Sequence, residues 1–139
     1  MEQKDFILRE IERMGQVLNA IRQKLLGGNN RLAISVEKEV DDAKGVLFAE
    51  VELDFDKLID LNKEETADYL NGFKGFNAAN IELFADYMAQ IGFNTKSDKS
   101  RIYLEKALYL YELTNLKSET FSFDREKRIS AIRNSKSLL

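Results

Sequence analysis

Five carboxylates, Glu50, Glu52, Asp54, Asp56 and Asp60, crowd one short stretch of the chain, and oxygen ligands at that density invite a calcium reading. The spacing argues against it. In a calcium-binding loop the ligand position after Asp54 and Asp56 would fall on Leu58, and the loop glycine is missing. Solvated acids beside inward-docking Val51, Leu53 and Phe55 are the simpler account, so no metal ligand is assigned. A second candidate is Gly-Phe-Lys-Gly at residues 72–75, which sits between two expected helices as does the Gly-x-x-Gly clamp that some RNA-binding folds place on a phosphate backbone. Those folds need a β-sheet, and Glu82 and Asp86 in the following helix would repel phosphate; helix termination explains the glycines. The third is aromatic: Tyr103, Tyr109, Tyr111, Phe121 and Phe123 near Arg125, Lys127 and Arg128 could stack bases. Rings at helical spacing are more often core, and a chain of net charge -3 is a poor phosphate binder, so no nucleic-acid partner is expected.

Missing residue types restrict the chemistry further. The chain has no cysteine and no histidine. It therefore lacks disulfides, thiolate nucleophiles, zinc-thiolate sites, and the usual general base near neutral pH. Catalysis would rest on carboxylates, lysine or tyrosine alone; the reading is a non-enzymatic protein without a cofactor. Charge is uneven, with twelve acids against four bases over residues 37–68 and ten bases against six acids over residues 96–139, which suits oppositely charged elements packed side by side. No basic segment followed by an apolar run opens the chain, and nowhere do 18 apolar residues stand together. A soluble, cytoplasmic protein without a membrane partner is the expectation.

The elements that position these residues are helices. Among 139 residues there is no proline, where average usage would give about seven, and helix interiors exclude proline. Ile7, Ile11, Met14, Leu18, Ile21 and Leu25 mark one face of a helix over residues 3–26, which Gly27-Gly28 stops. A second helical pattern runs from Leu32 through Val36, Val40, Ala43 and Leu47, with Asn29 or Asn30 as its cap, closing a helical hairpin. Residues 49–56, Ala-Glu-Val-Glu-Leu-Asp-Phe-Asp, alternate like a strand, but a lone strand has nothing to pair with; an extended connector or helix end docking Val51, Leu53 and Phe55 is expected. Asp54 or Asp56 can cap a short helix through Leu58 and Ile59, and Asn62 with Glu65 reads as a capping box opening a helix to about Leu70. Asn77 caps a helix with Ile81, Phe84, Ala85, Met88 and Ile91 inward, stopped by Gly92. From Ser100 to Lys117 apolar residues and tyrosines, Leu108 among them, wrap most of the circumference, which predicts the central, most buried helix. A last helix opens at Ser122 or Asp124. The fold class is therefore all-α, about six helices in stacked antiparallel hairpins or a bundle, in a single domain over residues 1–139.

Within that plan, Ile-Glu-Leu-Phe-Ala-Asp-Tyr-Met-Ala-Gln-Ile-Gly followed by Tyr-Leu-Glu-Lys-Ala-Leu-Tyr-Leu-Tyr-Glu-Leu-Thr resembles one tetratricopeptide helical hairpin over about a quarter of the chain. Phe84, Ala85 and Met88 stand as packing residues of its first helix, and Ala107 and Tyr111 keep the spacing of its second. The loop is about ten residues longer than the repeat allows, Thr114 replaces a small apolar residue, and the closing proline is absent. The opening Asp-Phe-Ile-Leu-Arg-Glu-Ile-Glu also is similar to the start of a family of small, uncharacterised bacterial helical proteins, which implies a bacterial cytoplasmic protein and brings no activity with it. In tetratricopeptide proteins the exposed face of the first helix lines a peptide-binding groove. Carried onto this chain, that face is Glu82, Asp86 and Gln90, a binding strip suited to a basic or polar peptide.

The stripe of the first helix admits three readings. Glu2, Asp5, Glu10 and Glu12 share its polar face with Arg9 and Arg13, unlike a membrane-surface helix. Heptad spacing would suit a seam between two copies, but Phe6, Leu8, Val17 and Leu26 broaden the stripe toward burial within the domain. A partner-binding helical module is the functional expectation, with a structural homodimer assembled through the N-terminal hairpin, its groove filled by its own last helix, as the rival.

Overall fold

The computed structural model describes residues 2–26 and 33–135, in which seven helices and no strands occur. They are α1 (Glu2–Leu26), α2 (Ala33–Val51), α3 (Phe55–Asp60), α4 (Lys63–Asn71), α5 (Ala78–Asn94), α6 (Lys99–Lys117) and α7 (Phe123–Arg133). The all-α expectation holds. The Gly27-Gly28 stop and the Asn29 or Asn30 cap fall outside the described residues.

Local chemistry sets the boundaries. Asp54, Asn77 and Ser122 each accept a hydrogen bond from the backbone N–H three residues on, satisfying one of the orphan donors at a helix start. Asn62 and Glu65 form the reciprocal capping box that opens α4. The alternating acidic stretch is a helix end and a connector: α2 runs to Val51, Glu52 turns into the left-handed region at φ 59, and fully buried Leu53 and Phe55 dock on the core. Glu52 N–H closes on the Phe48 carbonyl and Leu53 N–H on that of Leu47.

Pairings between named residues give the helix directions. Asp86 meets Tyr111 while Gly92 meets Leu104, so α5 and α6 are an antiparallel hairpin. Asn80 bonds the Ile11 carbonyl and Asp86 and Gln90 share a cleft with Arg22, so α1 lies parallel to α5. The Arg13 guanidinium reaches both the carbonyl and the carboxylate of Glu50, tying the C-terminal end of α2 to the middle of α1. Arg125 and Arg128 meet Glu82 and Asp86 in order, which places α7 parallel to α5.

α5 is the most enclosed helix, and this corrects the expectation for α6. Nine of its residues are buried against α1, α2 and α6, whereas α6 leaves Ile102 and Leu116 exposed and Tyr103, Leu108 and Tyr109 half-buried. Ile102, Leu116 and the half-buried rings broaden the apolar stripe of α6 beyond what its neighbours cover. In α1 the stripe is buried from Met14 to Leu25, but Phe6, Ile7 and Leu8 stand exposed, so the N-terminal turns carry apolar side chains that the fold leaves uncovered.

Candidate ligand-binding cleft

Glu82, Asp86 and Gln90 do share one face of α5, as their spacing requires. That face does not stand open. α7, started by the Ser122 cap, brings two arginines across it. Arg125, only 4% exposed, donates from Nε to Asn115 (2.7 Å), from Nη1 to Glu82 Oε1 (3.1 Å) and from Nη2 to the Thr120 carbonyl (3.1 Å). Arg128 donates from Nη1 to Glu82 Oε2 at 3.0 Å and to Asp86 Oδ1 at 3.3 Å. The Tyr111 hydroxyl also donates to Asp86 Oδ1.

Burial raises the Asp86 carboxyl from its ordinary value, opposed by the Tyr111 hydrogen bond and by the charges of Arg128 and Arg22. The Tyr111 phenol is raised as well, first by burial and then by its bond to Asp86. Two of the three strip residues are therefore engaged within the chain, and a basic partner would have to compete with Arg125 and Arg128 for them.

Gln90 marks the end that remains accessible. Beyond Asp86 the helices part into a cleft of about 310 Å³, with Arg22 on the α1 side, Ala89, Phe93 and Asn94 on α5, and Arg128 and Ala131 on α7. Phe93 is half exposed there, an aromatic ring presented to whatever enters. Asn94 spends its amide donor on the Gln90 carbonyl. The Arg22 Nε is buried and has no hydrogen-bond partner among the described residues. A second depression, about 160 Å³, lies between α2 and the α5–α6 connection beside Glu37, Asp41, Lys44 and Lys99.

The other sequence candidates have structural work. Glu50 pairs with Arg13, Asp54 caps α3, and Asp56 pairs with Lys44 at 2.9 Å. Among the described residues no three carboxylates gather to hold a metal. Gly72 closes α4, and Gly75 lies so near α1 that a Cβ would stand 2.6 Å from the Glu10 carbonyl oxygen. Phe121 and Phe123, expected as core, are exposed and pack edge to face on each other.

Lys106 carries no local sign of importance, yet it is only 2% exposed. It donates to the Leu61 carbonyl (2.6 Å) and to Thr66 Oγ1 (2.8 Å), tying α6 to the α3–α4 junction. Burial lowers its ammonium to about 8, against the opposing pull of Asp60 and Glu65. Two of its donors are thereby committed inside the fold.

Arg22, Phe93 and the Asp86–Tyr111 pair were not legible as site residues, since each depends on helix placement rather than on spacing within one segment. No helix of the described residues is long and apolar enough to cross a membrane. Comparison with known protein families, curated proteins and solved structures gives no match to this chain.

Proposed function

We propose that the protein is a non-enzymatic, cytoplasmic helical module that docks a protein or peptide partner in the cleft beyond Gln90, using the α5–α6 hairpin in the manner its tetratricopeptide resemblance implies. The observation that carries this reading is the cleft itself: rigid helices on every side, an exposed aromatic ring at Phe93, and polar ends from Gln90, Arg22 and Arg128 converging on one space. Ala85 and Ala107, on which the tetratricopeptide resemblance partly rests, are both buried. Absence of histidine and cysteine and the inward commitment of Lys106 weigh against chemistry. The test is Ala131→Trp, which fills the cleft from an exposed position without touching the core. Proteins retained by the immobilised full chain should be lost with the variant; retention of the same proteins in the same amounts sinks the cleft reading.

A second reading is favoured by one observation, the exposure of Phe6 (53%), Ile7 (38%) and Leu8 (55%) in succession on α1. Two copies crossing at these turns would form a homodimer through their N-terminal hairpins, burying a patch that solvent otherwise meets. Light scattering decides it. A monomer mass at high protein concentration rejects the dimer.

A further inference from the structure

The charges around the cleft do not balance. Arg22, Arg125 and Arg128 supply three positive charges and Glu82 and Asp86 two negative ones, leaving one positive charge in the network. Arg125 is committed: each of its guanidinium nitrogens donates to a protein oxygen, and it is buried. Arg128 commits Nη1 to both carboxylates. Arg22 differs, because its Nε has neither water access nor a hydrogen-bond partner among the described residues while the side chain lines the cleft. A guanidinium N–H left in that condition is costly, and an acceptor that Arg22 turns to meet would end the cost.

We infer that the cleft is a monoanion site, in which Arg22 takes a ligand carboxylate and Phe93, Ala89 and Ala131 receive the short apolar stem that carries it. The inference rests on the cleft being the docking site proposed above and names the chemistry of what enters. A carboxylate matches the fork of a guanidinium and accepts two of its donors at once. The charge state follows from the count, since one negative charge neutralises the network whereas a phosphate dianion would overshoot it. A space of about 310 Å³ takes a group of roughly amino-acid size. Ala89, Phe93 and Ala131 give the stem an apolar surface, beside the polar Asp86, Gln90 and Asn94 that also line the cleft. Two sources present this chemistry: the free C-terminus of a partner chain, or a small carboxylic acid.

The experiment uses the full chain labelled with nitrogen-15 and follows the Arg22 Nε–H signal and the Gln90 side-chain amide by NMR. The probes are N-acetyl-leucine and N-acetyl-leucinamide, equal in shape and differing in the carboxylate. The acid should shift both signals at millimolar concentration while the amide leaves them in place. Arg22→Gln should weaken the acid by about 10-fold or more, with helicity and melting temperature checked on the same sample. Ala131→Trp, which leaves the guanidinium intact, should exclude the acid as well. A decapeptide ending in leucine, free or amidated, separates the sources: tighter binding of the free peptide than of N-acetyl-leucine assigns the site to chain ends, equal binding assigns it to small acids, and both uphold the carboxylate. Equal shifts from acid and amide, or binding that survives Arg22→Gln, overturn it. If no probe shifts either signal while Ala131→Trp still loses captured proteins, the carboxylate assignment falls and the docking reading stands; if the captured proteins also persist, both fall.

Discussion

Gly92 of α5 lies against Leu104 of α6 so closely that a Cβ at position 92 would stand 2.6 Å from both Cγ and Cδ2 of that leucine and 3.2 Å from its backbone nitrogen. The sequence reading makes Gly92 a helix stop, but α5 continues to Asn94, and the glycine is there for the approach of two backbones. Ser100, buried, donates its hydroxyl to the Gly92 carbonyl at 2.7 Å, closing the same contact. Gly92→Ala should therefore destabilise by about 1–3 kcal/mol through overpacking, even though alanine is the better helix former. Gly45 in α2 is the control, since a Cβ there meets nothing within 4 Å and the position is exposed. Gly45→Ala should stabilise by about 0.5–1 kcal/mol. Urea unfolding of the two variants checks the opposite signs, and equal effects would refute the close-approach account.

Asn80 holds three segments together. Its side-chain nitrogen donates to the Ile11 carbonyl at 2.8 Å and to the Gly75 carbonyl at 2.7 Å, joining α1, the turn before α5, and α5 itself. Asn80→Leu keeps the branched heavy-atom outline of the side chain and removes both donors, leaving two carbonyls short of a partner in a buried place. A loss of about 2–4 kcal/mol is expected. A change under about 0.5 kcal/mol, the size of an ordinary surface substitution, would show that water or a shift of α1 replaces both bonds.

Leu104 and Leu108, one turn apart on α6, should respond differently to alanine. Leu104 is fully buried and Leu108 half-buried, so about 2–5 kcal/mol is expected for the first and about half of that for the second. Equal losses in thermal or urea unfolding would mean that α6 is enclosed on both sides, as its composition alone suggests.

That contrast also marks how far the sequence could be read. Helix starts were legible because caps are local: Asp54, Asn62, Asn77 and Ser122 accept bonds from residues three positions on. Leu53 and Phe55 were legible as docking residues because alternation on a lone segment leaves packing as their use. Which helix becomes the centre was not, since it depends on how closely its neighbours cover it rather than on its own residues; α5 and α6 carry three rings each, but α1 lies along α5 whereas α6 keeps Ile102 and Leu116 exposed. The strip of Glu82, Asp86 and Gln90 was found as a face, while the two arginines that engage it come from a helix some forty residues away. No spacing rule reaches that far.

Lys106 gives the fold a pH dependence of definite sign. Its ammonium, lowered to about 8 from 10.5 by burial, binds fewer protons in the folded chain than in the unfolded chain between those two values. Stability must then rise with pH across that window, whereas below about 8 both states are protonated and the desolvation cost is constant. The opposite contribution comes from Tyr87, Tyr103 and Tyr111, whose phenols are raised chiefly by burial: the unfolded chain releases these protons near pH 10 and the folded chain keeps them, so stability falls above that pH. Lys44, raised first by its hydrogen bond to Asp56, adds a loss in the same direction once pH passes its ordinary 10.5. Unfolding free energy measured in urea should climb by on the order of 2 kcal/mol from pH 8 to about 10 and then decline. Lys106→Met removes the titrating group that reaches Leu61 and Thr66 while keeping an apolar stem of similar length, and it should flatten the climb without altering the decline. A climb of the same size in the variant would locate the lowered group elsewhere and leave Lys106 an ordinary ammonium.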